Sequence, residues 1–432
     1  MHSVRKRLLI LGGTSASEGV VREARELGGV YIIVADDRKT GPAKEMADEA
    51  VEISTTNTEE LAALVKEKGI DGVFCGPTEF NLMNVMRLCE AADLPFYASE
   101  QQWEQCSNKI SFRKLCKKYG IPCAPEYGLS GEADSKEGIS VEYPVIVKPV
   151  DGCSSKGVRV CRNLDELKEA YDFALQYSAL KKVIVEKYIV GDYGIVCRYI
   201  AIQGRIYLLA VNDNYTADTS NGEIMITAAS LFPSRRIDEF ITNIHPKIVN
   251  MARGIGIENG AFFIQARVDG ETGNIYFHDM GFRLSGGQLY PIYKTIYGFS
   301  DMKMMIRFAL GEPMASEDEL LKIEPHFYGK VVGNLSIPLL PGVIRRIEGI
   351  EKIKKDEPVI DVLQYYHEGD EMTQEQTGTL MQLFCRIRFV VDSYEEAAEK
   401  MEYYQSCLNV TDGDGRDLIY RRFDTRRLFP SV

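Results

Sequence analysis

The sequence predicts an α/β chain of several domains, and three observations carry that prediction. Short β-branched runs alternate with amphipathic helical patterns over roughly the first hundred residues. A glycine- and serine-rich loop then follows a strand that closes in Lys148. Further on, two apolar strands are joined by the tight turn DGETG at 269–273, and each bears one metal-ligand type, Gln265 and Asp279. The chain has 432 residues, more than one core supports, so it should divide into about two to four domains.

The elements follow in order. Residues 7–13 read as a strand ending in Gly12-Gly13, 17–27 as an amphipathic helix, and 30–36 as a strand ending in Asp36. A helix at 59–68, a short strand at 72–75 and a helix at 81–92 complete the alternation, which implies a parallel sheet covered on both faces. The GGTSASEG turn with Asp36 invites a dinucleotide reading, but it lacks GxGxxG and 14–17 is too polar for a tight pyrophosphate turn. Residues 103–119 read as one helix, on whose exposed surface Lys109 lies; Pro122 and Pro125 mark a boundary. A small lid of strand, loop, strand, helix (164–177) and strand should occupy about 140–190. Strands, a helix at 237–254, the paired strands and a closing helix at 301–310 come next, ended by Gly311 and Pro313. From about 324 the pattern turns to β, and a helix over 394–408 follows. This implies domains at 1–105, 106–312 and 313–432, the third closing over the central one.

Composition narrows the function. With 45% hydrophobic and 26% charged residues the chain is ordinary for a globular protein. A formal net charge of −12 argues against a general nucleic-acid binder. No apolar run is long enough for a transmembrane helix. The start, MHSVRKRLLILGG, lacks the length and cleavage site of a signal peptide and reads as the first strand. The ten cysteines are scattered without CxxC, as expected of reduced core residues in a cytoplasmic protein.

The chemistry-bearing segments come in a fixed order. YPVIVKPVDGCSSKGVRVC (143–161) ends a strand in Lys148 and continues through Gly152, Ser154, Ser155, Lys156 and Gly157. Glycines let backbone N–H groups approach oxygens, serines donate hydrogen bonds and lysines supply charge, a composition suited to polyphosphate. It is no Walker loop, because no GK[ST] opens a helix. In 183–200 a strand runs into Glu186-Lys187-Tyr188-Ile189, breaks at Gly191-Asp192 and resumes. Beyond the Gln265 and Asp279 strands come Arg283 and Ser285-Gly286-Gly287. Arg267 shares the face of Gln265 and suits phosphate or substrate. The polar segment 212–223 reads as a surface loop, with part of an acceptor pocket as the alternative.

Lys109, Lys148, the glycine loop, the Glu186 strand and the paired strands ending in Arg283 together resemble the ATP-grasp superfamily, specifically its carboxylate–amine ligase branch. The architecture is also similar to biotin carboxylase and the purine-pathway carboxylation enzymes. The resemblance covers nearly the whole chain and implies a Rossmann-like first domain, a central two-subdomain ATP-grasp and a C-terminal α+β domain. It implies ATP bound by Lys109, Lys148, the loop residues Gly152 to Gly157 and, at the adenine, Glu186, Lys187, Tyr188 and Ile189. It implies catalytic roles for Lys148 and Arg283, with substrate contacts from Arg267, Arg283, Ser285, Gly286 and Gly287. Where family members place a glutamate for the ribose, this chain has Tyr193, and Asp192 is the substitute. The family's metal pattern, Glu on one strand and E-x-N-x-R on the next, is here Gln265 and then Asp279-Met280-Gly281-Phe282-Arg283. Mg²⁺ (Mn²⁺ as the alternative) would rest on Asp279 and Gln265. The partners so implied are ATP and small carboxylate and amine substrates, with no nucleic acid or membrane and with a homodimer left open. Three functions stay open: an ADP-forming ligase acting through an acylphosphate, a bicarbonate-using carboxylation enzyme, and an ATP binder whose altered metal site has lost catalysis.

Overall fold

The computed structural model describes residues 5–127, 141–152, 156–217 and 226–429. The first sheet is parallel, in the order Glu49–Glu52, Val30–Asp36, Lys6–Leu11, Gly72–Phe74. Leu8, Leu9, Ile10 and Leu11 are all fully buried, as an unbroken apolar run demands of a strand covered on both faces. The helices Glu18–Leu27 and Thr58–Lys68 lie between its strands in the chain, and Glu79–Ala92 follows the last of them. Asp36, the residue that invited a dinucleotide reading, is occupied locally. Burial opposes its charge, but the Gly13 and Arg38 amides donate to it at 2.7 and 3.0 Å and hold its carboxyl below the usual range.

The largest sheet has eight antiparallel strands, in the order Ile275–Gly281, Gly260–Val268, Tyr193–Ile202, Arg205–Thr216, Thr227–Phe232, Val331–Pro338, Leu383–Val391, Val359–Gln364. The C-terminal strands thus extend the central sheet edge to edge. One core joins them, with Tyr215 and Leu231 packed among Leu335, Phe389 and Met401. A four-stranded sheet, Glu126–Tyr127, Val183–Lys187, Val145–Pro149, Arg159–Cys161, carries helix Leu164–Gln176 on its Val145, Val147 and Val185 face.

Two expected helices are each divided. The helix over 103–119 is Glu100–Ser107 followed by Lys109–Tyr119. Asn108 leaves helical geometry, and its side-chain oxygen accepts from the Ile110 and Ser111 amides to cap the second helix. The helix over 237–254 is Ile237–Asn243 followed by His245–Ile255, because Pro246 has no N–H to continue the ladder and fits only a first turn. Among the described residues no helix is long and apolar enough to cross a membrane.

Candidate active site

A buried ionic cluster sits where the small sheet meets the large one. Strand alternation sends Val145 and Val147 into the small core and Lys148 to the opposite face. There Lys148 Nζ pairs with Glu186 Oε2 at 2.5 Å. Arg113, from helix Lys109–Tyr119, pairs with the other oxygen of Glu186 and donates to the Phe277 carbonyl at 2.6 Å. Lys148, Glu186 and Arg113 are 6%, 1% and 1% exposed, so each cation depends on the single carboxylate between them. Burial lowers the Lys148 pKa, with Glu186 opposing.

Beside this cluster a narrow cleft of about 60 Å³ is lined by Ala124, Ile146, Lys148, Tyr276, His278, Arg267 and residues 186–189. The four residues expected at a base, Glu186, Lys187, Tyr188 and Ile189, therefore share one cleft. Two of their backbone donors are already engaged, however: the Lys187 amide by Pro125 O and the Tyr188 amide by Pro144 O, both at 2.9 Å. Burial, reinforced by Lys148 and Arg113, keeps the His278 imidazole neutral.

A larger cavity of about 420 Å³ adjoins it. Lys109 opens its helix at 8% exposure and is not on an open helix surface as the sequence suggested. The Asn108 break turns it inward, where Nζ donates to Gly152 O at 2.7 Å and lies 3.8 Å from Asp279 Oδ1. Gln265 and Asp279 face each other across adjacent strands, and both line the cavity. A Cβ built at Gly281 would stand 2.5 Å from the Phe263 ring, so that ring occupies the space a side chain there would need. The Arg283 guanidinium stacks 5.1 Å over the same ring and pairs with Glu79 of the first domain at 2.6 Å. One carboxylate and one neutral amide oxygen fit a single hard cation completed by phosphate oxygens and water; Gly281 and Phe263 add no ligand.

Beyond Arg283 the chain turns through Ser285, Gly286 and Gly287, all on the cavity wall. Ser285 Oγ accepts from Arg198 Nε at 3.3 Å, Gly286 O from Arg386 at 3.4 Å and Gly287 O from Arg388 at 3.0 Å. Arg267 also lines the cavity and donates to Gly191 O at 2.9 Å. Of the loop residues, Gly152 lines the cavity and Lys156 is exposed outside it, while Ser154 and Ser155 lie outside the described residues. Gly157 has φ +74° with Pro149 and Tyr177 against its Cβ position, a site only glycine fits. Asp192 lines neither cavity; its backbone carbonyl accepts from Arg427 at 2.9 Å.

The segment expected as a surface loop at 212–223 begins inside strand Arg205–Thr216, with Asn212 and Asp213 at most 1% exposed. Asn214 and Thr216 line the cavity; 218–223 lie outside the described residues. Sequence reading missed Arg113, Glu79, Arg198, Asn334, Ser336 and Arg386. Arg386 had a signal: with Arg388 it stands at period two inside an otherwise apolar run, where a buried charge needs a reason. Arg113 had none, being one of five cations on a basic helix.

Residues 108–317 match the family model for the carbamoyl-phosphate synthase L chain, ATP binding domain. The chain is 26% identical over 332 residues to the 2-oxoglutarate carboxylase small subunit of Hydrogenobacter thermophilus, covering 73% of this chain and 68% of that protein. Its fold superposes on the L-amino acid ligase of Bacillus licheniformis with a TM-score of 0.77 at 22% identity, over 95% of this chain and 99% of that one. The biotin carboxylase domain dimer of the Hydrogenobacter thermophilus 2-oxoglutarate carboxylase, a complex with MgADP, ADP and bicarbonate, superposes with a TM-score of 0.75 at 22% identity, over 99% and 98%.

Proposed function

This chain belongs to the ATP-grasp superfamily, and we propose that it is an ADP-forming ligase joining a small carboxylate to an amine. The observation that carries the reading is continuity. A single cavity is lined by Asp279 and Gln265, by Arg283 and by the C-terminal strand residues Asn334 and Arg386, with Lys109 bonded to Gly152 O on its wall. A triphosphate at the first end and an organic substrate at the second would meet near Arg283.

In this reading the adenine enters the narrow cleft, and Lys148 and Lys109 carry charge toward the phosphates. Asp279 and Gln265 would hold Mg²⁺, which when bound would supply charge neutralisation for phosphoryl transfer. The substrate carboxylate oxygen attacks the γ-phosphorus; the bond to the β-phosphate oxygen breaks and ADP departs, leaving an acylphosphate. Arg283, held by Glu79 and the Phe263 ring, faces the charge spread over that group. The amine nitrogen then attacks the acyl carbon, the carbon–oxygen bond to phosphate breaks, and the nitrogen's proton leaves to the released phosphate or to water. The domains at 1–105, 106–312 and 313–432, with a lid over 140–190, are the working division that goes with this reading.

The similarity to the carboxylase small subunit favours a second reading, in which bicarbonate is the carboxylate phosphorylated. Measuring ADP release with ATP and Mg²⁺ separates the readings. An increase on adding amino acids from a panel supports the ligase, and an increase with bicarbonate alone selects carboxylation. No turnover under either condition, with ATP still bound, would reduce the chain to a nucleotide binder.

A further inference from the structure

One wall of the larger cavity is a polar row laid across neighbouring strands of the large sheet. Cross-strand register places Asn214 opposite Ser230, Ser230 opposite Asn334 and, two residues on, Ser336 opposite Arg386. Paired residues share a face, and all five line the cavity. Part of the row satisfies itself: Ser230 Oγ donates to Asn214 Oδ1 at 2.8 Å, and Asn214 Nδ2 donates to Thr227 Oγ1 at 2.9 Å.

The bonding then stops. Asn334 Oδ1 and Ser336 Oγ, on residues 7% and 2% exposed, have no hydrogen-bond partner among the described residues. Beside them Arg386, 8% exposed, donates to the Gly286 carbonyl at 3.4 Å and lies 5.8 Å over the Tyr365 ring, and no described carboxylate forms an ion pair with it. Arg198, elsewhere on the cavity wall, likewise bonds only the neutral Ser285 and Asn212 oxygens. Buried polar groups are ordinarily satisfied, so a wall with two orphaned oxygens and an unpaired guanidinium is complementary to something the protein does not itself supply.

We propose that this wall binds a small substrate carrying both a carboxylate and neutral hydrogen-bonding groups. Its carboxylate would pair with the Arg386 fork, an N–H or O–H would donate to Asn334 Oδ1, and Ser336 Oγ would bond a second polar atom. A polar amino acid has this chemistry. An apolar side chain in the same place would leave both oxygens unmet, so the wall selects against leucine, valine and phenylalanine. The inference rests on reading the cavity as the substrate end of a ligase, and it narrows the substrate to hydroxyl- or amide-bearing zwitterions.

Calorimetry on the full chain loaded with Mg²⁺ and a non-hydrolysable ATP analogue tests it, titrating serine, asparagine and glutamine against leucine, valine and phenylalanine. The expected result is that the polar set binds at least about tenfold tighter. Asn334→Leu should erase or invert that preference, and Arg386→Gln should weaken every amino acid by about tenfold or more, with Arg386→Lys recovering part. Unchanged affinity for the ATP analogue certifies each variant's fold, and Ser336→Ala is the milder substitute where a larger change unfolds the chain. Equal or tighter binding of the apolar set, a preference that survives Asn334→Leu and Ser336→Ala, or no amino-acid binding overturns the proposal. ADP release is read in parallel. Polar amino acids that bind without releasing ADP keep the pocket and sink the ligase, whereas ADP release with apolar acids alone does the reverse.

Discussion

The two cationic regions of the site are built on opposite electrostatic plans. Beside the narrow cleft proposed for the nucleotide, Lys148 and Arg113 share the Glu186 carboxylate in a cluster that is almost fully buried. At the far wall, Arg386 and Arg198 donate to neutral oxygens, and Asn334 Oδ1 and Ser336 Oγ have no partner among the described residues. The first region neutralises its cations within the protein, although Arg113 Nε has no hydrogen-bond partner among the described residues. The second keeps unmet hydrogen-bonding capacity that a ligand alone fills. A site for an invariant ligand such as ATP gains from rigidity, while recognition of a variable substrate resides in groups whose satisfaction depends on its identity.

The sharpest way to break this contrast is to remove the shared carboxylate. Glu186→Ala leaves two buried cations uncompensated and should cost about 3–5 kcal/mol of stability, read as a lower urea midpoint. Arg386→Met removes a cation that no described carboxylate pairs with, so it orphans no charge, and its change should stay within about 1 kcal/mol. Comparable losses in the two variants would mean that the difference in pairing has no energetic content.

Next in size comes the strand pair proposed to hold Mg²⁺. Gln265 is neutral and Phe263 fills the space beside Gly281, which leaves Asp279 as the pair's one carboxylate on the cavity wall. Asp279→Asn should lower ADP release by about 10²–10³-fold while the urea midpoint stays put. Retained turnover would place the charge-bearing ligand elsewhere. Lys148→Ala should weaken ATP binding by about tenfold or more, since a charge-assisted phosphate contact contributes roughly 1.5–3 kcal/mol. Calorimetry showing unchanged affinity would confine Lys148 to the Glu186 cluster.

The same contrast explains what the sequence let one read. The parallel sheet was legible because Leu8 to Leu11 and Val30 to Ala35 are unbroken apolar runs, a pattern local to each strand. The ATP-grasp resemblance was legible because Lys148, Glu186, Asp279 and Arg283 lie in order on short motifs. The helix breaks at Asn108 and Ile244 were missed because helical periodicity runs through both, although Asn108 as a cap and Pro246 as a first-turn residue carried the information. The far wall was illegible for a different reason. Asn214, Ser230, Asn334 and Arg386 become neighbours only through the register of four strands spread over 205–391, with Ser230 and Asn334 104 residues apart, and no short window along the chain contains the whole row.

The smallest expected effect concerns the back of the polar row. Asp213 stands between Asn212 and Asn214 on strand Arg205–Thr216. Burial pushes its carboxyl up to about 6 from the usual 3.8, although the Ser234 hydroxyl at 2.5 Å and the Arg235 amide at 3.1 Å favour the charged form. Below about pH 4 both the folded and unfolded chains hold this proton, and the group leaves stability unchanged. Between about pH 4 and 6 the unfolded chain releases it first, so stability falls as pH rises, and above about 6 the penalty is constant. Asp301, which burial pushes up to about 7, adds a decline of its own that extends to higher pH. Asp213→Asn should therefore flatten only the pH 4–6 part of the curve and stabilise the chain at pH 7 by on the order of 1–3 kcal/mol. Urea midpoints across that range decide the matter. A decline as steep in the variant as in the parent would show that Asp213 ionises as easily folded as unfolded, and that the strand behind the substrate wall tolerates charge as the nucleotide cleft does.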